Sequence, residues 1–230
     1  WTTASLRASA RAAADALPRA DPERDLDACL AHVSPSVFAP EAELGVVARP
    51  DVATCAAQLI CDADASHVAR CARSLPTSLR LVDCFVPFVR LCGLRALTAV
   101  ARAHGTRSLR ERGLDAVVYE ALRPSLGDRA ERAVRMAAVE ALCASQQGGL
   151  GGDAQRRQEW AVDPRKAMQD ADAAGDATTR GAETLMALLR DAQMDVVPQR
   201  ETVAMISRLA THMGAAAAPY AAGVVRALAH

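Results

Sequence analysis

Seven cysteines, five histidines and a run of arginines are the residues through which this 230-residue chain could do chemistry. Nine residues separate Cys61 from Cys71, and seven separate Cys84 from Cys92. Helical periodicity places the two pairs on two helices joined around Pro76. In an antiparallel hairpin of those helices Cys71 faces Cys84 and Cys61 faces Cys92. Two readings stand side by side: disulfides across the hairpin, or free thiols packed as small hydrophobes in helix cores, as an Ala-rich chain favours. Zinc is not expected, because no C-x-x-C occurs and Cys61, His67 and Cys71 supply three ligands at a spacing foreign to zinc sites.

Catalytic constellations are absent from the sequence. His32, His67, His104, His212 and His230 are scattered, and no G-x-S-x-G, H-E-x-x-H or P-loop occurs. The glycines around Leu150 follow no strand pattern and precede no Gly-Lys-Ser/Thr, so they read as a linker and not as a phosphate cradle. His104 before Gly105, and His212 just before Gly214, read as helix ends where a cationic ring suits the dipole. The expectation is a protein that is not an enzyme and carries no cofactor.

The arginines point to binding. Charge balances at 27 basic and 27 acidic residues, which argues against bulk phosphate-backbone binding. Locally it does not balance: residues 15–64 hold ten acids against three arginines, and residues 80–112 hold seven arginines against two acids. Arg90, Arg95, Arg102, Arg107, Arg110 and Arg112 form the basic set, and with Glu140 they are the candidate partner-binding residues. A solvated helix face is the default for such a run. The alternative is steering of an acidic protein, RNA or anionic lipid, with RNA and lipid less favoured because few aromatics accompany the arginines to stack on bases.

The elements that must hold these residues are helices. Hydrophobic residues make up 51% of the chain but aromatics only 3%, and alanine and leucine dominate where strands would want β-branched and aromatic side chains. In residues 81–145, Leu81, Val82, Phe85, Phe88, Val89 and Leu91 recur at helical spacing and predict a core-facing helix. Similar patterns follow at Leu94–Leu97–Val100, at Leu114–Val117–Val118–Leu122 and at Val134–Ala138–Val139–Leu142. Pro22 and Pro50 stand at first-turn positions. The chain divides into an N-terminal helix (1–20), helical repeats (21–145), a Gly-rich insertion loop (146–172) with Trp160 as its candidate anchor and a short helix after Pro164, and further repeats (173–230). No run approaches the roughly 20 apolar residues of a membrane span.

Repeats give the sharpest fold expectation. Gly113, Gly181 and Gly223 each precede an apolar helix, and the 42 residues from Gly181 to Gly223 fall within the roughly 40 to 47 of a HEAT or armadillo unit. Aligning Leu142 with Leu209 superposes Val139 on Ile206 and Ala138 on Met205, and Leu97 fits the same column. On these residues the chain resembles the armadillo/HEAT superfamily. The resemblance implies an all-α, right-handed helical-repeat solenoid, in which glycine permits a sharp turn between helices and small residues let units stack. An irregular Ala-rich helical bundle is the alternative. Peptide-binding armadillo proteins line their groove with asparagines, and this chain has none. The corresponding column reads Arg95, Glu140, Ser207, which implies a surface specialised for one partner.

Two further resemblances bear on compartment. The cysteine spacing is similar to the twin C-x9-C hairpins of the mitochondrial intermembrane space, departing from them at the second spacing and at Pro87. Residues 1–14 carry Arg7, Arg11, four hydroxyl residues and no acid, like the tail of a transit segment, or else like an ordinary helix capped by Thr2 or Thr3. The expected function is an intracellular scaffold or adaptor subunit of a larger protein assembly. Its alternatives are an accessory subunit of a mitochondrial respiratory or ribosomal complex, favoured over a cytoplasmic place by these resemblances, and an RNA-binding helical-repeat protein.

Overall fold

The computed structural model describes residues 22–37, 50–127, 130–146, 164–194 and 200–229, and among them every regular element is helical. In chain order these are α1 (Pro22–Val37), α2 (Pro50–Asp62), α3 (Ala65–Arg70), α4 (Ser74–Val82), α5 (Pro87–Glu111), α6 (Leu114–Leu126), α7 (Arg132–Gln146), α8 (Pro164–Met194), α9 (Arg200–Met213), a 3-10 helix (Gly214–Tyr220) and α10 (Ala221–Leu228). Pro22, Pro50, Pro87 and Pro164 each open a helix, where the missing N–H costs nothing. The expected N-terminal helix and residues 147–163 of the expected insertion, with Trp160, lie outside the described residues. From Pro164 the chain is helical, and the helix expected there runs on through residue 172 to Met194.

Two compact units divide the chain after Ala103. In the first, α1 packs on α2, α3 and α4, and α2 on α4. Ala53, Ala56, Ala57 and Ile60 form the buried side of α2, a row of mostly small side chains that lets neighbouring helices come close. Leu30, Ile60, Leu81, Leu94 and Leu97 are fully enclosed, each worth roughly 1.5–3 kcal/mol on leaving water. Ser74 Oγ donates to the carbonyls of Val68 (2.9 Å) and Cys71 (2.8 Å), so the buried α3–α4 turn is satisfied from within.

The core helix expected across residues 81–92 is two helices. α4 stops at Val82, α5 starts at Pro87, and Phe85 and Phe88 stand 57% and 59% exposed at the corner between them. Leu81, Val82 and Val89 keep their expected buried places.

In the second unit α6 packs on α7, α7 on α9, α8 on α9 and α10, and α9 on α10. Val118, Leu122, Val134, Ala138, Val139, Leu142, Leu185, Leu188, Ile206 and Leu209 are buried. Arg135 of α7, 7% exposed, donates from Nε to the Leu126 carbonyl (3.1 Å) and pairs with Asp191 of α8.

Of the three glycines expected to make turns, only Gly113 does so: it precedes α6 with φ 66°. Gly181 lies inside α8 against the Met213 side chain, and Gly223 lies inside α10 against Leu189. The positive-φ turns lie instead at Gly105, which breaks α5 (φ 67°, ψ 156°), and at Gly214 after α9. Both were legible as helix ends from His104 and His212.

Candidate functional site

Three of the candidate arginines belong to the first unit and three to the second. In the first, Arg90 is half-buried and donates from Nε to the Cys84 carbonyl at 2.9 Å, tying the α4–α5 corner to itself. Arg95 and Arg102 are exposed on α5. They follow Phe88 at seven-residue steps, which rotate a helix by only about 20° each, so the three share one face. That face carries an apolar anchor at its start and two guanidinium groups beyond it.

In the second unit Arg107 and Glu111 make an exposed i,i+4 pair at 2.9 Å, and Arg112 is exposed at the end of α5. Such solvated pairs contribute about 0.3–0.5 kcal/mol. Glu140 accepts from Arg208 of α9 at 3.2 Å and so holds α7 to α9 within this chain.

Arg110 is half-buried and lines a recess with Asp115, Tyr119, Leu142, Ser145, Gln146 and Arg180. The recess spans about 240 Å³ counted to its open mouth. Arg180 Nη1 lies 3.3 Å from Asp115 Oδ2, with side-chain exposures of 18% and 24%, and the guanidinium carbon stands 5.0 Å from the centre of the Tyr119 ring. Tyr119 donates its hydroxyl to Glu183 at 3.2 Å, and burial together with Glu183 pushes its pKa up. Ser145 Oγ donates to the Leu142 carbonyl at 2.8 Å. Gln146 is 5% exposed, and its Oε1 receives no hydrogen bond. Sequence reasoning reached Arg110 but missed Arg180, Tyr119 and Gln146. Arg180 meets Asp115 across 65 residues, a separation at which no periodicity gives warning.

No disulfide joins any of the seven cysteines in the structure. Cys92 and Arg95 stand near enough to Cys61 to alter its ionisation: burial, Asp62 and Cys92 push Cys61 up to about 11, while Arg95 opposes. Cys71 directs its Sγ to Asp27 Oδ1 at 3.5 Å, and Cys84 is buried. Among the described residues no group of three metal-ligating side chains occurs, and no helix is long and apolar enough to cross a membrane.

Comparison with protein-family models, with characterised proteins and with solved structures gives no match to this chain.

Proposed function

We propose that the chain is a non-enzymatic scaffold or adaptor, an armadillo/HEAT-type right-handed helical solenoid that holds a protein partner on an exposed helix face. The observation that carries this reading is the pair Phe85 and Phe88, 57% and 59% exposed, at the head of the α5 line of Arg95 and Arg102. The chain has only seven aromatic residues, and aromatic and Arg side chains are the ones that anchor protein interfaces. Two rings left in water are unfavourable in isolation and become the apolar centre of an interface once a partner covers them.

Support for stacked repeats comes from α7 and α9. The aligned pairs Val139 and Ile206, and Leu142 and Leu209, are all buried, and the two helices pack on each other with Glu140 bonded to Arg208. Equivalent helices of successive units are neighbours in a solenoid.

Affinity purification with mass spectrometry, run in parallel on the unaltered chain and on a Phe85→Ser/Phe88→Ser variant, tests the reading. A protein partner that the variant loses, at unchanged thermal stability, supports it. A partner retained equally by both removes the α4–α5 corner as the docking face. RNA captured at low salt, and lost on Arg95→Glu/Arg102→Glu, replaces the reading with a nucleic-acid one.

A further inference from the structure

α10 is apolar on two opposite sides. Gly223 lies against Leu189 of α8 and Ala227 is buried, and these make its inner side. At about 100° per residue, Ala221, Val225 and Leu228 fall within about 60° of one another and at least about 140° round from Gly223. All three are exposed, Val225 at 66% and Leu228 at 45%. Among the described residues α8, α9 and the 3-10 helix pack on α10 and leave this stripe open. A helix that is apolar all round belongs in an interior, so the outer stripe calls for a cover.

Spacing, shape and charge say what covers it. The steps of four and three along the stripe are those of the seam between two paired helices, which selects a helix as the occupant. The stripe is also graded, small at Ala221 and large at Leu228. Set antiparallel to an identical stripe, it places Leu228 of each copy over Ala221 of the other, with Val225 beside the two-fold axis. A parallel pairing would set Leu228 on Leu228 and Ala221 on Ala221, which crowds one end and leaves the other empty. Contact between identical surfaces brings like charges together, and the stripe carries none. Arg226, the one charged residue of α10, stands about 100° or more round from each member and stays off the seam.

We propose that α10 is a self-association face, through which two copies of this chain pair antiparallel about a two-fold axis with Leu228 of each packed over Ala221 of the other. Eight residues of helix span only about 12 Å, well short of burying the roughly 1,200 Å² of a stable interface. The pairing is therefore weak and exchanging, with a dissociation constant of roughly 0.05–0.5 mM. It shares no residue with the Phe85 and Phe88 corner, so either proposal can fail alone.

Sedimentation equilibrium of the full chain from roughly 5 µM to 1 mM tests it. The weight-average mass should climb from that of one chain toward that of two. Val225→Ser/Leu228→Ser should weaken association at least about tenfold at an unchanged melting temperature, because both side chains already stand in water in the single chain. Phe85→Ser/Phe88→Ser should associate as the unaltered chain does. Ala221→Glu and Leu228→Lys each put a charge into the seam and should each weaken association about tenfold alone. Mixed in equal amounts they should pair again, because the antiparallel arrangement sets the new carboxylate against the new ammonium. A chain that stays monomeric at the highest concentration, association that survives Val225→Ser/Leu228→Ser or is lost on Phe85→Ser/Phe88→Ser, or a mixture no tighter than its components would each overturn the proposal.

Discussion

Gly93 of α5 backs directly onto Leu81 of α4: a β-carbon built on Gly93 would stand 2.7 Å from both the carbonyl carbon and the β-carbon of Leu81. Backbone cannot yield as the tip of a flexible side chain can. Gly93→Ala therefore forces the two helices apart and disturbs Leu94 and Leu97, both fully enclosed. Although alanine is the better helix former by about 1 kcal/mol, the overpacking cost of about 1–3 kcal/mol or more prevails. Urea unfolding should show a net loss of stability. Gly181→Ala is the control, because its β-carbon would meet only the flexible Met213 side chain at 3.4 Å, and it should be neutral or stabilising.

Arg135 and Asp191 form a largely enclosed ion pair, with side chains 9% and 30% exposed. Removing one partner strands the other's charge, so Asp191→Asn and Arg135→Met should each cost about 3–5 kcal/mol. Replacing both should cost less than the sum of the two single losses, since neither charge is then left without its partner. A double-mutant cycle by chemical denaturation measures this directly. Additive losses would mean that the pair stands in solvent-like surroundings.

The contrast between α7 and the α4–α5 corner shows what the sequence could convey. Ala138, Val139 and Leu142 repeat on one side of an uninterrupted helix, and every one of them is buried as its spacing predicts. Phe85 and Phe88 fit an equally regular pattern with Leu81 and Val82, yet they are outside. Pro87 decides between the cases: in mid-helix it removes a hydrogen bond, and at the first turn it removes none. The structure uses it as a first turn, which ends the period at Val82. Gly181 and Gly223 misled for a related reason. A glycine before an apolar run fits a turn or a close helix contact equally well, and here both are contacts. The recess was least legible, because Arg180, Tyr119 and Gln146 meet only through the packing of α6, α7 and α8, which no local spacing encodes.

Cys61 offers a chemical check on the first unit. It is exposed to solvent, yet burial of its sulfur, Asp62 and Cys92 hold its pKa at about 11. A thiol held at about 11 instead of its ordinary 9.0 presents roughly a hundredfold less thiolate near neutral pH, and thiolate is the form that reacts. Alkylation by iodoacetamide at about pH 8, followed by mass spectrometry of the Cys61 peptide, should be much slower in the folded chain than in urea. Asp62→Asn should speed it, and Arg95→Gln should slow it further, because Arg95 is the group that favours the thiolate. Alkylation at the same rate folded and unfolded would show that Cys61 is a free surface thiol.

His212 and His104 should make the second unit sensitive to acid. His212 lies in the last turn of α9, where the helix dipole favours a charged ring, but its Nε2 is buried without a partner and burial lowers its pKa below 6.5. Burial and the nearby Arg112 lower His104 in the same direction. Desolvation thus outweighs the dipole. Between the ordinary value and the lowered folded values, the unfolded chain binds more protons than the folded one, so stability rises with pH across that window. The contribution is complete above about 6.5 and is lost as pH falls from there through the folded values. Urea midpoints at about pH 7.5 and about pH 5.5 should differ for the unaltered chain, with the lower midpoint at the lower pH. His212→Leu, which fills the same space without a titrating group, should narrow that difference, and adding His104→Gln should narrow it further. A difference unchanged by both substitutions would assign the acid sensitivity to the carboxylates instead.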